Sequence, residues 1–300
     1  MKRSALLAVF LLLVSLIGVL GAAAQTASSE APLHVGIFTD LHAHDTNSPN
    51  EGKTMTNYPE RLTACIDAMN AWPADLMIEL GDFVNGRFVM GAPLGEADRI
   101  PGILDQAEAI YATFNGPRYY VIGNHDVYDL SKAQFLAHTA ATKTYESFDA
   151  GAYHFVILDA QYDKKGNDLD HVGWSVVGNI PPEELDWLKA DLAATDKPTI
   201  VCVHQRLDKA FDLLSGGPEI TDAAEIRGVL EASGKVIAVF QGHDHENAEV
   251  DINGIHYITF EALVDEHDRP ASWATVTLDP AARTITVKGA GAQSDWSLSY

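Results

Sequence analysis

The apolar residues of this chain gather in short, nearly continuous runs, and each run is closed by a polar cluster. Leu33 to Thr39, Leu76 to Leu80, Arg118 to Ile122, Ala152 to Leu158, Thr199 to Val203 and Val236 to Phe240 predict short apolar strands. Thr144 to Phe148 is a candidate partner for the fourth of these. Elsewhere the apolar spacing lengthens to that of a helix. Pro59 opens one through Ala71, with Leu62, Cys65, Ile66 and Met69 on a single face. A second covers about 98–114, and Pro181-Pro182 starts a third whose Leu185, Leu188 and Leu192 share a face. A fourth runs over 222–233, and a long loop spans 161–180. The tail, from Ile255 to Phe260, Trp273 to Leu278 and Thr284 to Lys288, reads as successive antiparallel strands. Alternating strands and helices predict an α/β fold with its chemistry at the C-terminal ends of the strands. Helices around an inner layer of two sheets account for the order.

Residues 1–24 stand outside this pattern. Lys2 and Arg3 precede an apolar run from Ala5 to Leu20, and Ala22-Ala23-Ala24 supplies a small-residue cleavage site before Gln25. The run is short for a membrane span, so a cleaved signal peptide is expected, with a retained anchor as the alternative. The protein is then exported, periplasmic or secreted, with no stable membrane insertion after cleavage. No repeat or composition break divides residues 31–300, which predicts one domain. At 47% hydrophobic and 21% charged the chain is of globular type. Its formal charge of −22 speaks against docking onto nucleic-acid polymers. An anionic substrate must therefore meet a local positive centre, for which bound metal is the natural source. The two cysteines, Cys65 and Cys202, fall in apolar patterns and read as buried free thiols.

Five polar clusters follow predicted strands directly: Asp40-Leu41-His42, Gly81-Asp82, Gly123-Asn124-His125-Asp126, His204, and Gly242-His243-Asp244-His245. Mixed nitrogen and oxygen donors with few sulfurs suit Mn, Fe or Zn rather than Ca²⁺. The donors are too many for one ion that keeps an open position. They suit two ions joined by one carboxylate.

In order and spacing these clusters resemble the calcineurin-like metallophosphoesterases over about residues 33 to 290. The resemblance implies a four-layer α-β-β-α sandwich and a dinuclear centre. One divalent ion would be held by Asp40, His42 and His245, the other by Asn124, His204 and His243, with Asp82 bridging. It also implies that His125 faces the substrate as the general acid, oriented by Asp126. A hydroxide bridging the ions would attack phosphodiester, pyrophosphate or phosphomonoester bonds of small phosphorylated molecules. With Asp40, Asp82 and that hydroxide, two divalent ions leave a net charge of about +1. Within the family, the strand His154 to Ala160, the run Gly254-Ile255-His256-Tyr257, Glu261 to Val264 and Val287-Lys288-Gly289 are similar to the manganese-dependent ADP-ribose/CDP-alcohol diphosphatase group.

Two positions depart from family variants. Asn85 stands three residues after the bridging Asp, where purple acid phosphatases carry Tyr, and Arg206 stands two residues after His204, where many relatives carry Pro. Both are candidates to meet substrate oxygens, Arg206 through a bidentate fork. Two other readings stay open. Asp40 to Asp45 also fits the H-x-H opening of a PHP-type or amidohydrolase-like metal hydrolase, which would make His44 a ligand. A non-catalytic exported metal-binding protein on the same scaffold is the other. Oligomeric state is not readable from the pattern.

Overall fold

The computed structural model describes residues 31–47, 52–86, 99–170, 178–209, 220–266 and 269–300. The expected signal segment and residues 171–177 of the long loop lie outside them.

Two six-stranded mixed sheets form the interior. In the first, β1 (Leu33–Phe38), β3 (Leu76–Glu79) and β4 (Arg118–Tyr120) run parallel. β12 (Trp273–Asp279), β13 (Thr284–Ala290) and β14 (Trp296–Ser299) extend it antiparallel beyond β1, in the order β14-β13-β12-β1-β3-β4. In the second, β6 (Tyr153–Ile157), β7 (Thr199–Cys202), β8 (Val236–Gln241) and β10 (Ile255–Thr259) are parallel. β5 (Glu146–Ala150) and β9 (Ala248–Ile252) close its edges antiparallel. A small ribbon of β2 (Lys53–Thr54) and β11 (Asp265–Glu266) lies apart.

The period of two along each strand sorts side chains into three apolar layers. Val35, Ile37 and Ile78 meet Phe155, Ile200 and Phe240 between the sheets. Their neighbours face outward. Phe38, Met77 and Tyr120 pack under α1 (Tyr58–Ala71) and α2 (Ile100–Tyr111). Val156, Val201 and Val239 pack under α5 (Pro182–Ala194) and α6 (Ala223–Ser233). This is the four-layer α-β-β-α sandwich, and strands covered on both faces explain the unbroken apolar runs. The expected faces are buried, with Leu62, Cys65, Ile66 and Met69 on α1 and Leu185, Leu188 and Leu192 on α5. Cys65 and Cys202 are buried free thiols. Among the described residues no helix is long and apolar enough to cross a membrane.

The structure adds elements that the apolar pattern does not reveal. α3 (Asp126–Asp129) follows the third polar cluster, and α4 (Lys132–His138) starts in a capping box. There Ser131 Oγ accepts from the Gln134 N–H, and Gln134 Oε1 accepts from the Ser131 N–H. β9 and β10 meet at Asn253-Gly254, both with positive φ (55° and 83°), the residue pair that a type I′ hairpin turn prefers.

Candidate metal centre

The parallel strands β1, β3, β4, β7 and β8 deliver the five polar clusters to one rim. Backbone bonds continue past the strand ends, from Asp40 N–H to Gly81 O, His42 N–H to Asp82 O and Gly242 N–H to His204 O. Five of the seven expected ligands adopt positive φ: Asp40 (52°), His42 (48°), Asp82 (58°), His243 (75°) and His245 (58°). Such backbone costs about 1–3 kcal/mol per non-glycine residue and persists only where the surroundings fix it. Gly123 marks how closely these loops approach. A Cβ there would lie 2.2 Å from both the backbone N and the Oδ1 of Asp82.

Two donor sets meet at one carboxylate. In the first, His245 Nε2 is 3.2 Å from Asp40 Oδ1 and 2.9 Å from His42 Nε2. In the second, His204 Nε2 is 3.1 Å from Asp82 Oδ2 and 3.3 Å from His243 Nδ1. The same Asp82 Oδ2 is 3.7 Å from His42 Nε2, so it stands between the sets. Asp82 Oδ1 accepts from the His125 N–H at 2.8 Å. Asp40 Oδ2 is engaged by Thr39 Oγ1 and by the His243 N–H.

Among the described atoms of the seven expected ligands, the buried oxygens Asp40 Oδ1 and Asn124 Oδ1 have no hydrogen-bond partner. Leaving such atoms unsatisfied is costly. Asn124 is fixed from its other end, where Nδ2 donates to Tyr128 Oη at 2.8 Å. Compact nitrogen and oxygen donors with orphaned oxygens fit divalent cations. Asp40, His42 and His245 would hold one, and Asp82, Asn124, His204 and His243 another.

Electrostatics agree with such a centre. Burial alone would raise Asp40 and Asp82, yet the facing imidazoles, His245 for Asp40 and His204 for Asp82, keep both ionised and well below the usual carboxylate range. Burial would depress His204 and His245, but Asp82 lifts the first and Asp40 the second, each to about 9. His243, buried beside His204, falls to about 4. Burial also holds His125 well below the ordinary imidazole range.

A family model described as calcineurin-like phosphoesterase matches residues 33–247. The chain belongs to that family. It is accordingly a metal-dependent phosphoric ester hydrolase. The chain is similar to a manganese-dependent ADP-ribose/CDP-alcohol diphosphatase of Xenopus laevis, 29% identical over 92% of this chain and 93% of that protein. One of the same name from Oryza sativa is 24% identical over 80% of this chain and 86% of that protein. A dimetal phosphatase from Danio rerio superposes with a TM-score of 0.74 at 18% identity, covering 90% of this chain and 100% of that one.

On this calcineurin-like scaffold three expected roles change. Asn85 does not face outward to substrate: its Oδ1 is 2.8 Å from His42 Nδ1, so it orients that ring. Arg206 is buried in ion pairs with Asp208 and Asp244, which tie the loop after β7 to the loop carrying His243 and His245. Its fork is therefore occupied by protein carboxylates rather than open to phosphate. Asp126 is a backbone clamp and not the orienter of His125. Its oxygens accept from the N–H groups of Asp82, Val84 and Gly123, while His125 Nδ1 is buried without a partner among the described residues. Burial, then the charge of Asp82, raises Asp126 to about 7.

His44 joins neither set. It is in none of the compact donor clusters among the described residues, so the PHP-type reading finds no support there, and its Nδ1 accepts from the Thr46 N–H at 3.0 Å.

Sequence reasoning misses Glu266, whose carboxylate bonds His245 Nδ1 and leaves Nε2 toward the first set. It also misses Arg61, a buried guanidinium on α1 that contacts Leu41 O, Thr54 O and Asp265. Arg61 thereby fixes the β2–β11 ribbon to the first ligand loop. Neither residue sits after an apolar run, and only the pairing of chain positions far apart in sequence reveals them.

Proposed function

We propose that this chain is an exported dinuclear diphosphatase, with one catalytic domain over residues 31–300, that hydrolyses the pyrophosphate linkage of small nucleotides of the ADP-ribose or CDP-alcohol kind, using two Mn²⁺ ions. The observation that carries the dinuclear reading is Asp82 Oδ2, set 3.1 Å from His204 Nε2 and 3.7 Å from His42 Nε2. The substrate class rests on likeness to diphosphatases of that name over nearly the whole length of both chains. Export rests on the segment 1–24.

When bound, the ions supply Lewis acidity to the phosphoryl oxygens and lower the pKa of the attacking water. The protein's own part is positioning. Asp82 joins the two sets, and Asp126 fixes the backbone on both sides of it through three N–H groups. His125 lies edge-on to His42, with ring centroids 4.5 Å apart. Held neutral by burial, it is a weak proton source but a competent hydrogen-bond donor. That suits a leaving group of low basicity. A departing phosphate monoester, whose second pKa is about 6, needs a hydrogen bond more than a proton, whereas an alkoxide needs full protonation.

The test is a substrate panel with Mn²⁺-loaded protein: ADP-ribose, a CDP-alcohol, phosphomonoesters, cyclic nucleotides and glycerophosphodiesters. The pyrophosphate compounds are expected to lead in kcat/KM by at least about tenfold, or ~1.4 kcal/mol of transition-state preference. A lead for monoesters overturns the substrate assignment. Export is checked by sequencing the amino terminus of the mature protein, where Gln25 is expected and Met1 contradicts it.

A further inference from the structure

The second donor set is drawn from both sheets. Asp82 and Asn124 follow β3 and β4 of the first, and His204 and His243 follow β7 and β8 of the second. β4 is the last strand of its sheet, beside β3. The loop that carries Asn124 is bonded to the first sheet's own loops through Asp126 and Asp82. A bond from the opposite sheet reaches it from Gln161, in the loop after β6. There Gln161 Nε2 donates at 3.2 Å to the carbonyl of Ile122, two residues before Asn124. The same Nε2 donates to Gln205 Oε1 at 2.9 Å, and Gln205 Nε2 returns a bond to Gln161 Oε1 at 3.2 Å. Gln205 directly follows His204, and both glutamines are fully buried. The loop after β6 is itself held by helices from both outer layers. The Gln161 N–H donates to Asp159 Oδ1 and the Asp159 N–H to Glu184 Oε1 on α5, each at 2.8 Å. Lys132 Nζ on α4 lies 2.7 Å from Asp159 Oδ2.

An amide pair is neutral, so it leaves the charge of an adjoining cation site unchanged, and its reciprocal bonds fix a separation. An apolar pair of the same size would fill the space but could not grip the Ile122 carbonyl. We propose that Gln161 and Gln205 form a strut between the two sheets that sets the spacing of Asn124 and His204, and with it the affinity of the second donor set for its ion. Both are positioning residues, acting through the ligands beside them in the chain. The proposal rests on the dinuclear reading and adds to it the device that holds one of the two sites to size.

The experiment titrates Mn²⁺ calorimetrically into the unaltered chain, Gln161→Met and the double variant Gln161→Met/Gln205→Met, and records the Tm of each without metal. Gln161→Met strands the Gln205 amide and the Ile122 carbonyl, so its Tm should fall. The double variant removes one of those stranded groups and should regain part of the loss. Affinity at one site should drop about 10- to 100-fold in both variants, the usual effect of an outer partner, while the other site stays within about threefold. The weakened site should be the one that persists in a His42→Ala background, where the first set lacks a ligand. Should Gln161→Met not fold, Gln205→Met, which keeps the Ile122 carbonyl paired, decides by the same criteria. Affinity that returns together with Tm in the double variant overturns the proposal, because the amides then act through stability alone. Unchanged affinity, equal weakening of both sites, or weakening of the first set instead overturns it as well. If the unaltered chain binds a single ion, the dinuclear reading fails. The strut then stands if Gln161→Met weakens that ion about tenfold or more, and falls if it does not.

Discussion

The imidazoles of His42 and His245 lean on side chains, whereas that of His204 leans on the backbone. Asn85 backs His42 and the Glu266 carboxylate backs His245. His204 Nδ1 instead donates to the Leu80 carbonyl at 2.8 Å, and Asn124 is steadied by the neutral hydroxyl of Tyr128. In the backed rings the bond at Nδ1 fixes the tautomer and leaves Nε2 for a cation. A carboxylate behind the ring also makes it a stronger donor, and a backbone carbonyl cannot be exchanged by substitution. The first set is therefore tuned by residues that can change independently of the fold. In the second, His204 is tied to the fold itself.

The largest effect is expected where the comparison collapses, at the carboxylate that both sets share. Asp82→Asn should reduce turnover by well over about a hundredfold, beyond the usual effect of an outer partner, and bound metal should drop to at most one ion per chain. Kinetics beside elemental analysis would show it, and near-normal turnover would mean the sets are not joined there. Next comes Glu266→Gln. It should weaken one of two titrated metal sites by about 10- to 100-fold and leave the other within a few-fold. Equal weakening of both would remove the distinction drawn above.

A pH series tests the sets together. In the ion-free chain Asp82 and Asp40 outweigh burial and hold His204 and His245 at about 9, above the ordinary 6.5. The imidazoliums therefore stabilise the ion-free fold fully below pH 6.5, and their contribution is lost as pH rises through 9. The Tm of ion-free protein should fall over that interval, and metal loading at pH 7 should release protons. The fall should be smaller in Glu266→Gln, which removes one support of the His245 imidazolium. A Tm that is flat from pH 6.5 to 9 without metal would contradict the coupling. The smallest effect is expected for Tyr128→Phe. Asn124 loses one partner, so affinity at the second set should drop by only about fivefold for one neutral hydrogen bond.

Much of this arrangement is legible in the order of residues along the chain. Strands β1, β3, β7 and β8 are buried on both faces, so their apolar runs stand out, and the residues that end them and β4 share a rim by topology alone. Asp40, His42, Asp82, Asn124, His204, His243 and His245 can be found that way. The partners of those residues cannot. Glu266 lies on a two-residue strand, too short to show a period, and its pairing joins positions 53 and 266. Asn85, Asp126 and Arg206 sit beside ligands in sequence and invite a catalytic reading. Their hydrogen bonds are set by tertiary contacts that local pattern does not encode. α4 and β9 do leave signals, in the Ser131–Gln134 capping box and in Asn253-Gly254, but little apolar periodicity accompanies them.

The central claim is that one carboxylate joins two cation sites, and metal stoichiometry tests it most directly. Protein saturated with Mn²⁺ and freed of excess by gel filtration should retain two ions per chain, while Asp82→Asn retains no more than one. One ion in the unaltered chain, or two in the variant, would contradict the account.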